Sequence, residues 1–312
     1  MTNLLGTKIV TAGRTFLDID AYAGCIAYAE LLNLKGEKAI AYSSATLNES
    51  ITRTIRSWGV PFVYEYAPEP GDTFVVIDVS DPEYLDKLIE LERVEEVIDH
   101  HVGYEAYWRD RIGEKANLEF IGAACTQVYE AWERAGLVDS MSQTSARLLI
   151  SGILDNTLNF KAGVTTDRDI RAYEVLSSIA QFEGDWTSEY FSECEEYIFA
   201  DITRAIVNDT KAAPFKSLGV EKFAFGQLVI WDAQRALGEF RGDIEATMNS
   251  LSPTWFINIV SIADGESYFF ASDDRVKDWA RRVVSVEFED GVARAGRLWL
   301  RKEILKQDAT LL

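Results

Sequence analysis

TFVVIDVSDPEYLDKLIELERVEEVIDHH, residues 73–101, decides the fold. Its first five residues are an unbroken apolar run, the pattern of a strand covered on both faces rather than one. A second strand-like run, VEEVI, fills 94–98. Between them, Asp81-Pro82 predicts a helix with proline at its first position. Both runs end in polar chemistry: Asp78 follows the first, and Asp99-His100-His101 follows the second. In open α/β sheets, ligands gather beyond the carboxyl ends of the strands.

Outward from this segment the alternation continues. Strands are predicted over 8–12, 39–42 and 61–64, and helices over 21–34, 48–58, 124–136, 143–154 and 167–180. Strands alternating with helices imply a mostly parallel sheet flanked by helices. A chain of 312 residues is long for one core, so two domains are expected. A linker reads at Glu183-Gly184-Asp185, giving domains of 1–187 and 188–312. The second, smaller α/β domain has strands predicted over 223–231, 255–262 and 267–271, with helices over 197–207 and 233–251. No internal repeat or low-complexity tract stands out.

The composition is that of an ordinary globular protein, 47% apolar and 26% charged. The net charge of −20 argues against a long nucleic-acid partner, whose phosphates demand a broad basic face. It leaves room for a small phosphate-containing substrate held by a metal and a few basic residues. No apolar stretch is long enough for a membrane span, and the opening residues Met1–Leu5 lack the basic run of a leader. Three widely separated cysteines, Cys25, Cys125 and Cys194, fit a reducing cytoplasm better than a disulfide framework.

Four acidic residues stand at element ends: Asp18, Asp20, Asp78 and Asp155. Taken singly, Asp78 reads first as a turn or capping residue, and Asp18-x-Asp20 as a helix cap. The histidines are harder to explain that way, because the chain has only two and both stand together behind an aspartate. Crowded carboxylates repel unless a cation neutralises them. Carboxylate oxygens favour Mg²⁺ or Mn²⁺, and an added imidazole shifts the preference toward Mn²⁺. Such ions make water nucleophilic and stabilise the attacking and leaving oxygens in phosphoryl transfer.

These segments resemble the DHH phosphoesterase superfamily, above all its manganese-dependent (family II) inorganic pyrophosphatase and exopolyphosphatase branch. The resemblance runs through TAGRTFLDIDAYAGCIAYAELL, VVIDVSD, VIDHH, GAACTQVYEAW and LLISGILDNTLNFKAGVTTDRD. It implies metal ligation by Asp18, Asp20, Asp78 (bridging two ions), His100 and Asp155, with His101 and Asp78 central to catalysis. The family's first ligand histidine falls on Arg14, and its Asn-Pro on Phe16-Leu17. Arginine stays protonated and cannot ligate a metal. Arg14 is therefore expected to pair with Asp18 or Asp78 in the space of one ion, leaving one well-held metal, and to meet substrate.

The second half resembles the pyrophosphatase-type (DHHA2-like) C-terminal domain. It lacks the Gly-Gly-Gly-His element of the nuclease and cyclic-dinucleotide branches. The resemblance implies phosphate binding by Lys211, Arg301 and Lys302, with Asp209 beside Lys211, and a site in the cleft between domains. Leu300 and Glu303 replace the usual Ser and second Lys. The expected activity is metal-dependent hydrolysis of pyrophosphate or short polyphosphate. Two alternatives are a phosphodiesterase on short oligonucleotides or cyclic nucleotides, and a binding or scaffold protein whose site has weakened. Oligomeric state is not legible.

Overall fold

The computed structural model describes residues 6–310 and divides into two compact units, the first ending at Thr187 and the second starting at Ser188. Residues 1–5, in which no leader was read, lie outside the described residues.

The first unit alternates as follows: β1 (Lys8–Thr11), β2 (Phe16–Leu17), α1 (Ile19–Leu34), β3 (Ala39–Ala41), β4 (Thr46–Leu47), α2 (Arg53–Ser57), β5 (Thr73–Ile77), β6 (Val94–Asp99), α3 (Glu105–Ile112), β7 (Ala116–Leu118), α4 (Ala124–Ala135), α5 (Gln143–Asn156) and α6 (Asp167–Ala180). Five strands form one sheet in the order β3-β1-β5-β6-β7, every pair parallel. The apolar run at 73–77 is its central strand, with Phe74 to Ile77 buried. Helix α1 is buried nearly all round, which its Ala, Gly and Cys content permits. It touches β5 so closely that a Cβ on Gly24 would stand 2.6 Å from Ile77 Cγ2.

Three expectations change. No described helix starts at Pro82; residues 79–90 are turns and irregular backbone held by tertiary bonds. Asp86 accepts from Ser44 and Leu88, Trp108 Nε1 donates to the Ser80 carbonyl, and Gly13 bridges Leu85. The helix expected over 48–58 shrinks to α2, because the Asn48 side chain takes the Ser50 amide into a turn and Thr52 caps the helix later. The strand expected over 61–64 is a single bridge between Tyr42 and Val63.

Apart from the first two residues of α7, the second unit contains α7 (Trp186–Ala200), α8 (Ile202–Asn208), β8 (Thr210–Phe215), β9 (Val220–Ile230), α9 (Ala233–Glu239), α10 (Arg241–Leu251), β10 (Trp255–Ser261), β11 (Glu266–Ala271), α11 (Asp274–Val284), β12 (Phe288–Glu289), β13 (Val292–Ala295) and α12 (Arg301–Thr310). Its sheet runs β12-β13-β11-β10-β9-β8, parallel only between β9 and β10. One face buries Leu228, Ile257 and Ile259 with Ile206, Ile244 and Met248; the other buries Phe225, Phe256 and Phe269 with Trp279 and Ile304. The helix expected over 233–251 breaks at Phe240, and that expected over 197–207 breaks at Asp201, whose side chain caps α8. No described helix is long and apolar enough to cross a membrane.

A Cβ on Gly152 of α5 would lie 2.5 Å from Cys125 Sγ and 3.2 Å from Asp20 Cα. Gly152→Ala should therefore destabilise the chain by about 1–3 kcal/mol, even though alanine favours helices. Urea unfolding measures this; a gain in stability would show that α5 can move away.

Candidate metal centre

The centre begins with two neighbouring strands. Asp78 directly follows β5, its N–H donating to the Ile98 carbonyl at 2.8 Å. Its φ of 61° lies in the left-handed region, a costly place for a side-chain-bearing residue and one found at functional sites. Strand β6 ends at Asp99 and delivers His100 and His101 beside it. His100 Nε2 lies 3.3 Å from Asp78 Oδ1, and His101 Nδ1 lies 3.8 Å from the same oxygen. One ligand atom from each of Asp78, His100 and His101 falls within 4.8 Å of the others, a candidate divalent-metal site.

The hydrogen bonds orient this cluster. His100 Nδ1 is 3.1 Å from the Ile121 carbonyl, which can only accept. The ring proton therefore sits on Nδ1, and Nε2 turns its lone pair toward Asp78 Oδ1. That oxygen is buried and has no aligned hydrogen-bond donor. Two lone pairs facing each other at 3.3 Å need a positive charge between them. A proton can supply it: burial works to lower the His100 pKa, but Asp78 and Asp20 outweigh it and lift it to about 10. Burial, then the charges of Asp20 and Asp18, pushes the Asp78 carboxyl well above its ordinary range. A divalent cation meets the same demand more completely, so the residues present fit one.

Asp20 is wholly buried at the start of α1. Its two oxygens accept the Ala124 and Cys125 amides at 2.8 and 2.7 Å, placing the carboxylate on the N-terminus of α4. Its Oδ2 stands 3.8 Å from His100 Nε2. Asp18 caps α1 through the Ala21 amide at 3.0 Å and adds its charge to that of Asp20 and Asp78. Asp18 thus caps a helix while its charge bears on the other two carboxylates. Asp155 is half-buried in the last turn of α5, three residues beyond the glycine that abuts Asp20 and so on the same helix face. His101 donates from Nδ1 to Asp99 Oδ1 at 2.8 Å, and its ring is mostly exposed.

Arg14 departs from expectation. It lines a cavity of about 240 Å³ with Asp18, Asp78 and His101, but its side chain is exposed. Among the described residues it makes no ion pair with Asp18 or Asp78. The Gly13–Leu85 bridge and the bond from the Arg14 amide to the Tyr84 carbonyl hold this loop against 84–85, leaving the guanidinium on the rim.

In the second unit, Arg301 binds Asp209 through Oδ1 at 2.5 Å and through its carbonyl at 2.7 Å. The Arg301 amide donates to Gln227 Oε1. Lys211 is exposed and pairs with Phe225 across β8 and β9, and the Phe225 carbonyl also receives Arg301 Nη1. Lys302 is exposed at the start of α12. Glu303 caps that helix through the Leu300 amide and pairs with Arg297, so its charge is spent locally.

One supporting residue escaped the sequence. Asp169, wholly buried, accepts from the Gly122 amide, Thr126 Oγ1 and both the amide and hydroxyl of Thr166. It thereby shapes the 121–125 segment, which supplies the Ile121 carbonyl to His100 and two amides to Asp20. The Thr-x-x-Asp capping box was readable; the reach back to Gly122 was not.

No family model matches the chain. It is 27% identical over 168 residues to a probable manganese-dependent inorganic pyrophosphatase of Lactobacillus helveticus, covering 53% of each. It is 23% identical over 309 residues to a probable manganese-dependent inorganic pyrophosphatase of Clostridium acetobutylicum, covering 95% of this chain and 94% of the relative. The first of these matches spans about half the relative's length. Among solved structures, a Methanococcus jannaschii protein provisionally assigned to the family II inorganic pyrophosphatases superposes with a TM-score of 0.57 at 19% identity, over 97% of this chain and 99% of that one. An exopolyphosphatase-related protein from Bacteroides fragilis gives 0.52 at 11% identity, over 98% and 91%. The chain is thus homologous, at low identity, to manganese-dependent inorganic pyrophosphatases and has the family II fold.

Asp169→Asn should weaken divalent-metal binding roughly 10- to 100-fold, the range seen when a group that orients a ligand is lost. Calorimetry measures this; unchanged affinity in a folded variant would show that the 121–125 segment holds its shape without the carboxylate.

Proposed function

We propose that this chain hydrolyses a phosphoanhydride bond, in pyrophosphate or short polyphosphate, with Mn²⁺ or Mg²⁺ held by Asp18, Asp20, Asp78, His100 and Asp155. The observation that carries this is the convergence of the buried Asp78 Oδ1 and His100 Nε2 at 3.3 Å, with Asp20 Oδ2 3.8 Å from the same nitrogen. The pyrophosphatase names of its relatives favour the same chemistry. When bound, the ion supplies Lewis acidity: it draws charge from a phosphoryl oxygen and eases deprotonation of water near neutral pH.

The chain's own groups do the rest. His101 is held by Asp99 through Nδ1, so its Nε2 is left to hold or deliver a proton at a phosphate oxygen. The Asp99 carboxylate, against the pull of burial, raises the His101 pKa and enlarges its protonated fraction near neutrality. Arg14 on the cavity rim offers a fork of donors to a phosphate. We assign metal binding to residues 1–187 and further phosphate binding to 188–312, through Lys211, Arg301 and Lys302. Asp209 and Gln227 hold Arg301 in place, which suits a clamp that must not reorganise on binding. We assign the activity to the cytoplasm, a reading that the three widely separated cysteines favour.

Asp78→Asn should lower Mn²⁺-dependent phosphate release from pyrophosphate by on the order of 100-fold or more, since a charged ligand becomes a neutral amide. Near-wild-type turnover would reduce Asp78 to a turn residue. Lys211→Ala and Arg301→Lys should each raise KM for tripolyphosphate about tenfold with metal affinity unchanged. Loss of metal binding without a change in KM would contradict the assigned roles.

A further inference from the structure

The walls beside the metal centre are not those of a site built for an inorganic anion alone. The cavity containing Arg14 adjoins a second of about 320 Å³, and the two share Asp78, Val79, Tyr84 and His101. Among the described residues, Arg14 is the one Lys or Arg in either lining, whereas Asp18, Asp78 and Asp81 are carboxylates. Large apolar side chains are left open here: Phe16 is 57% exposed, Tyr84 55% and Val102 66%. Other large apolar side chains are also exposed, Phe120 and Tyr64 among them, but these three line one pair of adjoining cavities beside Asp78 and His101. Ser80 supplies a separate observation: it lines the second cavity, is only 2% exposed, and its hydroxyl has no partner.

We propose that these adjoining cavities hold a planar ring attached to the phosphates, so that the chain takes phosphoanhydrides of the nucleoside diphosphate class as well as inorganic ones. The phosphates sit toward Asp78, His101 and Arg14, and the ring packs on Phe16 and Tyr84. Every base has a π-face, so such stacking tolerates any base. The Ser80 hydroxyl meets a polar edge of the ring or its sugar. The hydrolysis rests on the phosphoanhydride reading above. Water oxygen bonds to the terminal phosphorus, and the bond from that phosphorus to the bridging oxygen breaks with its electron pair leaving on the nucleoside monophosphate. One water proton stays on inorganic phosphate and the other passes to solvent.

The test is calorimetric binding of adenosine diphosphate and pyrophosphate to the full chain with Mg²⁺. Both ligands carry a methylene bridge in place of the anhydride oxygen, and phosphate release from the natural forms is measured alongside. The wild type should bind the nucleotide about tenfold more tightly than the inorganic ligand, the worth of one stacked ring. Phe16→Ala and Tyr84→Ala should each cut that preference severalfold, and Tyr84→Phe should restore it. Equal weakening of both ligands, or no preference in the wild type, overturns the ring site. Pyrophosphate cleaved with nucleotide unbound overturns it too, yet leaves the phosphoanhydride reading standing. Ring-dependent nucleotide binding with neither compound cleaved supports the ring site and removes that reading instead.

Discussion

The first unit is organised around a buried carboxylate held by backbone amides, with the His100 ring 3.8 Å away. Asp20 is wholly buried, and its oxygens are satisfied by two backbone amides at the start of α4. Two free amides and the positive end of a helix make this a stable place for negative charge. The geometry then propagates. Helix α1 must begin where Asp20 can reach α4, and α5 can approach that point only because residue 152 has no side chain. Asp18 and Asp78 lie close enough to feel the Asp20 charge, so fixing one carboxylate fixes an acidic neighbourhood that calls for a cation.

The parts of this arrangement written in short stretches could be read from sequence. The run at 73–77 announces a doubly covered strand because every residue is apolar or compact, and it is the centre of the sheet. Asp99-His100-His101 announces chemistry because the chain has no other histidine. Residues 79–90 misled because Asp-Pro is a helix-opening pair, yet here Trp108 and Gly13 bond the backbone and Ser44 binds the Asp86 carboxylate. Those partners are distant in sequence, and no local pattern encodes them. The same applies to Asp169: its bonds to Thr166 belong to a local motif, while its bonds to Gly122 and Thr126 cross more than 40 residues.

Arg14 stands elsewhere than its charge alone suggests. A fixed positive charge among carboxylates suggests direct pairing, but main-chain bonds to residues 84–85 decide where the side chain stands. In the second unit Arg301 follows the opposite logic, drawn in by Asp209 and anchored by Gln227. Two arginines of equal charge are thus positioned by different means, one by its backbone alone and one by its backbone and guanidinium together.

The left-handed backbone at Asp78 has a consequence for heat resistance. The turn is strained, its carboxylate is buried, and its neighbours repel it, so the folded chain carries a local cost at that position. A ligand that binds only the folded form returns about 2.7 kcal/mol at a concentration 100 times its dissociation constant. The melting temperature of this chain thereby becomes a function of the free divalent-ion concentration around it. Its exposure to proteolysis follows the same linkage, because the unfolded form is less populated when the ion binds.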